Sequence, residues 1–246
     1  MTEMERRAFW LLKQVNPAIR AYAMLQDGDR VAVAVSGGKD SLSLLRLLDL
    51  RRKRSQEQYE LLALHVSGDA SGPFTQPHAP LVEWLDTNQY AYHIEPLVVK
   101  ADEKLPMNCQ RCTWNRRRTL FLAAQRLGCN VLAFGHHADD LAETALLNLL
   151  HHGALEAMAP VRSYFDGTIR LIRPLCLTSE AEIRRFARAC AFPDPPPACP
   201  QSDQSARRMA KDLLRQAERA IPGARANLLR AGLRGLESSA ESETEG

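Results

Sequence analysis

Two rhythms of apolar residues alternate along this chain. The run Val31-Ala32-Val33-Ala34-Val35 is unbroken and rich in β-branched residues, which predicts a buried strand at 30–35, whereas Leu42 to Leu50 repeats at helical spacing. The same switch recurs. A leading helix is expected near residues 3–24 and another to about Arg54; Leu61 to Val66 predicts a strand, His78 to Asn88 a helix, and Ala91 to Glu95 a third strand. After an irregular stretch, helical periodicity begins near Arg111 and stops at Gly128, ahead of the apolar strand Val131 to Phe134. A helix over Asp139–His151, a strand over Thr168–Ile172 and a helix over Ser179–Cys190 complete the series. Strands separated by helices pair in parallel through right-handed crossovers, so the expected fold class is α/β: a doubly wound parallel sheet covered on both faces. Ligands of such sheets sit beyond the carboxyl ends of the strands. The turns at Ser36, His65 and Gly135 should converge there.

Past Cys190 the rhythm changes. Pro193, Pro195, Pro196, Pro197 and Pro200 exclude helix and predict a stiff connector, after which Ser205 to Ala220 reads as a basic amphipathic helix and a short helix runs to about Leu236. The expected organisation is an N-terminal helix at 1–28, an α/β domain at 29–192, a connector with helical C-terminal extension at 193–236, and a disordered acidic tail at 237–246. No repeat of solenoid length is present.

Composition narrows the class. With 246 residues, 45% hydrophobic and 25% charged, the chain can bury a sizeable core. No apolar run reaches membrane-spanning length and the first residues lack a signal-peptide pattern, so the expectation is a cytoplasmic protein with no membrane contact. Six cysteines in that setting favour metal or redox chemistry over a disulfide scaffold. The formal net charge is only +3, but basic clusters at Arg51–Arg54, Arg116–Arg118, Arg184–Arg185 and Arg207–Arg208 are offset in the total by the acidic tail. Each cluster alone is more often a solvated helix face. Together with a phosphate-binding loop they raise a nucleic-acid partner as a reading.

That loop is Ser36-Gly37-Gly38-Lys39-Asp40-Ser41, between the first strand and its helix. Unpaired N–H groups at a helix start, glycines that let the backbone approach, a lysine and two serines suit phosphate oxygens. The spacing is not that of the G-x-x-x-x-G-K-[ST] loop. A bare glycine turn with a capping serine is the plainer reading, and the strand and leucine helix on either side argue against it. A second constellation is Cys109-Gln110-Arg111-Cys112 at a helix entrance, with Cys199 from the connector. Three thiolates leave one position open, either on a catalytic zinc or on one iron of a [4Fe-4S] cluster; a redox pair or unrelated thiols are the alternatives. A third is Gly135-His136-His137-Ala138-Asp139-Asp140, with Glu143 and Thr144 beyond. Asp139 and Asp140 are candidates to hold Mg²⁺ beside a triphosphate, while Glu143 reads better as a helix-capping carboxylate. Cys129, Cys176 and Cys190 have apolar neighbours and read as buried packing residues, and His151 and His152 as helix-end residues.

The hexapeptide resembles the PP-loop of the ATP pyrophosphatases, whose members cleave ATP between the α and β phosphates. With Cys109-x-x-Cys112, GHHADDLAET, Asn148, Arg173-Pro174-Leu175 and Phe192-Pro193 added, residues 8 to 215 resemble the tRNA 2-thiocytidine synthetase (TtcA) family of PP-loop enzymes. The resemblance implies an adenine nucleotide alpha hydrolase-like, Rossmann-like fold. It also implies ATP, Mg²⁺ and a [4Fe-4S] cluster on Cys109, Cys112 and Cys199, with tRNA as substrate and a sulfur donor such as a cysteine desulfurase persulfide; members are often homodimers. Ser36, Gly37, Gly38, Lys39, Asp40, Ser41, His65, Gly135 and His136 would contact nucleotide; Lys39, Asp40, Asp139 and the three cysteines would carry catalysis. The implied reaction adenylates cytosine O2, at position 32 of the anticodon loop in the family, and then inserts sulfur. Two departures stand out: Ser202 replaces a late family cysteine, and the usual His-Val-Asn-Phe-Asp reads His65-Val66-Ser67-Gly68-Asp69. Alternatives are a thiolase for another base, a lysidine-synthetase-like adenylating enzyme without sulfur transfer, and a zinc-binding nucleotide sensor without turnover.

Overall fold

The computed structural model describes residues 1–72, 77–100, 102–196 and 206–244, with 237–244 by backbone alone. Its elements follow the apolar rhythm closely: α1 (Glu3–Ala21), β1 (Asp29–Ala34), α2 (Lys39–Arg52), β2 (Tyr59–Ser67), α3 (Ala79–Thr87), β3 (Tyr92–Pro96), α4 (Cys109–Arg126), β4 (Val131–Ala133), α5 (Ala138–His152), β5 (Val161–Tyr164), β6 (Ile169–Ile172), α6 (Glu180–Cys190), α7 (Ala206–Ala220) and α8 (Ala224–Thr244). The six strands form one sheet in the order β3-β2-β1-β4-β6-β5. From β3 to β6 every pair is parallel.

One strand departs from the expected all-parallel sheet. β5 pairs antiparallel with β6, Val161 opposite Ile172 and Tyr164 opposite Ile169, through a turn in which Phe165, Asp166 and Gly167 all have positive φ. The segment V-R-S-Y is short, partly exposed and carries little apolar signal, as befits an edge strand. A second departure is at the C-terminus, where the backbone of α8 continues to Thr244 through most of the acidic segment expected to be disordered. Alanine and glutamate are good helix formers, and nothing after Gly235 breaks the run until Gly246.

The strands are apolar on both sides because both sides are covered. Val31, Val33, Leu61, Ala63, Val131, Ala133 and Ile172 face a core shared with α1, α2, α3, α5 and α6. Ala32, Leu64, Val66, Leu132, Ile169 and Leu171 face the other core, whose only helix among the described residues is α4, through Leu120, Phe121, Ala123 and Ala124. The helical extension packs on the larger core too: Leu214 of α7 and Leu229 of α8 are buried in it, and Ala157 donates its N–H to the Gly232 carbonyl.

Topology then fixes where a ligand can sit. The chain leaves β1 for β2 and β3 on one side and returns to β4 on the other, so the strand order reverses between β1 and β4. The turns after these two strands diverge to opposite neighbours and leave a crevice between them. One turn is Ser36–Gly38 and the other Gly135–His137.

Candidate functional site

The loop after β1 is built by its own hydroxyls. Ser36 N–H donates to Ser41 Oγ at 3.2 Å, Gly38 N–H to Ser36 Oγ at 3.3 Å, and Ser41 Oγ–H to the Gly38 carbonyl at 2.9 Å. Gly37 sits at φ +85°, where a side chain would be strained, and a Cβ there would lie 2.9 Å from Cδ of Pro196. Pro196 thus lies directly against the loop. Gly38 caps α2 without a side-chain partner, which leaves its first N–H groups directed forward.

The second turn meets the first across the crevice. A Cβ on Gly135 would lie 3.0 Å from the backbone of Asp40 and Ser41, so any side chain there would need that backbone to give way. A cavity of about 280 Å³ opens beside the contact, lined by Ser36, Asp40, His136 and Asp140 from the two turns and by Arg116 and Leu120 from α4. Buried polar atoms without a protein partner mark it as a place for a polar ligand: Oδ1 of Asp40 and Nδ1 of His136. Burial, with the nearby Arg173 charge, pushes the His136 imidazole down to about 4, so it is neutral near pH 7 and stacks on Phe134 at 5.5 Å. His137 instead caps α5, accepting the Asp140 N–H while the Asp140 carboxylate accepts its own N–H.

The sequence-predicted site residues divide into three groups. Ser36, Asp40, Ser41, Gly135, His136 and Asp140 meet at the cavity, with Gly37, Gly38 and Lys39 in the adjoining turn and first helical residue. His65 and Asp139 are placed elsewhere. The His65 Nδ1–H donates to the Val35 carbonyl at 2.8 Å, behind the loop; burial lowers its pKa, so it braces the loop entrance as a neutral ring. Asp139 accepts the Glu180 N–H at 2.7 Å and pairs with Arg225, so its oxygens tie α5 to α6 and α8 instead of facing the cavity. Cys199 belongs to the third group, outside the described residues, as does Ser202.

Glu143 also differs from its reading as a capping carboxylate. It is buried on α5, where desolvation and then the Asp140 charge raise its pKa to about 7. Among the remaining cysteines, Cys129 and Cys176 are buried as expected and Cys190 is half-buried; burial pushes both Cys176 and Cys190 up to about 12, which keeps them as inert thiols.

Cys109 and Cys112 open α4, whose N-terminus is capped by Asn108 accepting the Arg111 N–H at 2.8 Å. They share a helix face with Arg116 and Leu120, which line the cavity. Cys112 is therefore about 6 Å along the helix axis from a cavity residue. Arg116 is held by the carbonyls of Val66 at 2.8 Å and Gly68 at 2.6 Å, at the end of β2. Of the three successive arginines, this is the one that reaches the crevice; Arg117 donates to the Tyr164 hydroxyl. No group of three or more His, Cys, Asp or Glu side chains poised around a metal occurs among the described residues.

Sequence reasoning did not find the ion pairs behind the loop. Lys39 Nζ lies 2.9 Å from Asp40 Oδ2 and 3.1 Å from Glu180 Oε1. Burial pulls the Lys39 pKa down, but these two carboxylates outweigh it and the ammonium stays charged. Glu180 lies 141 positions away in sequence, and no local pattern could have paired it with the loop.

Comparison with known proteins adds independent findings. The PP-loop domain family matches residues 11–192. A tRNA-cytidine(32) 2-sulfurtransferase of Geotalea daltonii is 40% identical over 227 residues, covering 89% of this chain and 88% of the relative. One of the same description from Geobacter sulfurreducens is 39% identical over 225 residues, 88% of this chain and 86% of the relative. Among solved structures, the U34-tRNA thiolase NcsA of Methanococcus maripaludis, determined with its [4Fe-4S] cluster, superposes with a TM-score of 0.71 at 23% identity over 92% of this chain and 79% of that one. At that identity the likeness bears on the fold.

Proposed function

We propose a function from one premise: the chain belongs to the PP-loop domain family, as a relative of the tRNA-cytidine(32) 2-sulfurtransferases over nearly nine-tenths of its length. It is an enzyme that uses ATP to thiolate tRNA, replacing the 2-oxygen of a cytosine, at position 32 as in its named relatives. The observation that carries this reading is the single cavity shared by the phosphate-binding loop and α4, with Cys109 and Cys112 on the helix face that reaches it.

Chemistry suggests the order of events. Cytosine oxygen is a poor leaving group, so its attack on the α phosphorus of ATP, with rupture of the bond to the β phosphate, turns it into an adenylate and frees pyrophosphate. A sulfur nucleophile then adds at C2 and AMP departs with the oxygen. The N–H groups at the start of α2 suit the charge that develops on pyrophosphate, and the Lys39 ammonium would join them on leaving Asp40 and Glu180. Asp40 and Asp140 line the cavity and are the carboxylates suited to hold Mg²⁺ through water beside the triphosphate. His136, neutral and with an unsatisfied Nδ1, supplies a hydrogen-bonding atom without adding charge.

Cys109, Cys112 and Cys199 would hold a [4Fe-4S] cluster, which when bound offers one iron without a protein ligand to sulfur. The donor set fits such a group: two thiols one turn apart at a capped helix N-terminus, and a third three residues beyond the proline that packs on Gly37. The sulfur itself comes from an external donor: sulfide is already at the level required, and a persulfide would need a thiol reductant to supply two electrons. The test is nucleoside mass spectrometry of tRNA from cells lacking the gene, paired with anaerobic reconstitution. Loss of 2-thiocytidine, restored by purified protein, ATP and a sulfide source, is expected. Unchanged thiolated nucleosides would overturn the reading.

A further inference from the structure

Glu180 stands where three parts of the molecule meet. Its Oε1 lies 3.1 Å from Lys39 Nζ of the phosphate-binding loop and 3.0 Å from Arg184 of its own helix; its Oε2 lies 3.1 Å from Lys211 Nζ of α7. Its N–H is fixed by Asp139, which also pairs with Arg225 of α8. The carboxylate is 12% exposed, so these contacts are only weakly screened. An acidic residue in a first helical turn ordinarily serves the helix dipole. This one shares its charge between the loop lysine and the C-terminal extension.

We infer that Glu180 is a positioning residue for Lys39, which sets the lysine's place in the loop and makes its release toward the triphosphate depend on Lys211 of α7. The inference rests on the adenylating reading above and deepens it. Glu180 and Asp40 together counter the Lys39 charge before nucleotide arrives. When the β and γ phosphates draw the ammonium away, Arg184 and Lys211 remain to satisfy Glu180. A carboxylate so neutralised does not repel the polyphosphate, and the lysine leaves from a defined position.

Two substitutions with opposite signs test this in the full-length protein, with MgATP binding read by calorimetry and tRNA-dependent pyrophosphate release read separately. Glu180→Gln should bind MgATP about three- to tenfold tighter, because a negative charge is gone, while turnover falls about tenfold because Lys39 is no longer placed. Lys211→Met should bind MgATP more weakly by a similar factor, since Glu180 then holds Lys39 harder. In the double variant the Lys211 effect should vanish, as coupling through Glu180 requires. Additive effects, or Glu180→Gln binding no tighter than the parent, would overturn the inference. If Glu180→Gln does not fold, Glu180→Asp keeps the charge but shortens its reach; it should lower turnover with affinity held, and unchanged turnover counts against the proposal. A parent protein that binds MgATP without releasing tRNA-dependent pyrophosphate would overturn the thiolase reading alone, leaving the binding cycle to decide this one. Absence of MgATP binding would sink both.

Discussion

At the scale of single residues, the site depends on one side chain that is absent and one that is charged. Gly135 lets the turn after β4 touch the backbone of Asp40 and Ser41, and that backbone cannot yield as a flexible side chain could. Gly135→Ala should therefore push the two turns apart, lowering stability by about 1 to 3 kcal/mol and weakening nucleotide binding. Calorimetric melting with and without MgATP checks both; an alanine variant with parental Tm and affinity contradicts the contact. Lys39 is the charged one. One preorganised donor at a developing anion is typically worth about 2.7 to 4 kcal/mol, so Lys39→Ala should slow tRNA-dependent pyrophosphate release by on the order of 10² or more with tRNA binding kept. A loss below tenfold would remove the lysine from the transition state.

At the scale of elements, α5 and α4 carry predictions of different kinds. Glu143 is buried on α5 near Asp139 and Asp140, with Arg207 and Lys211 of α7 acting in the opposite sense, and its pKa is raised to about 7. A carboxyl raised above its unfolded value stabilises the fold below the unfolded pKa, and that contribution fades as pH rises through about 7. The Tm advantage of Glu143→Gln over the parent should therefore widen between pH 5 and pH 8. A pH-independent gap would mean that the carboxyl is not buried as described. On α4, Cys109→Ser or Cys112→Ser should remove the brown colour of anaerobically purified protein, with its absorbance on the order of 400 nm, and abolish thiolation while MgATP still binds. Colour retained in both variants would place the cluster elsewhere.

At the scale of the whole molecule, charge is unevenly distributed. The tail from residue 237 holds four glutamates and no lysine or arginine, so deleting it raises the formal net charge from +3 to +7. Filter binding at low salt should show tighter tRNA association for the truncated protein, converging with the parent as ionic strength rises. Identical salt curves would mean that the tail is remote from the RNA path.

What the sequence makes legible depends on how local the cause is. Strands β1, β2 and β4, helix α2 and the two glycine turns announce themselves because apolar period and turn chemistry are encoded within a few residues. β5 does not, since an edge strand needs little apolar surface on either side. Asp139 shows why a motif is not yet a site: its neighbour Asp140 reaches the cavity, while Asp139, one position earlier, is turned about 100° away toward α6 and α8. Glu180 is invisible for a further reason, because only the finished sheet brings α6 to the loop after β1.

The uneven clothing of the sheet has a last consequence. Where several helices share one side, α4 is the one described helix on the other, and it divides its labour along its length. Thr119, Leu120, Phe121, Ala123 and Ala124 are buried toward the strands, whereas the opening turns, from Cys109 to Arg116, are spared that duty apart from Asn115 and the flank of Cys112. Evolution can thus revise what the first half of the helix does to a substrate without disturbing what the second half does for the fold.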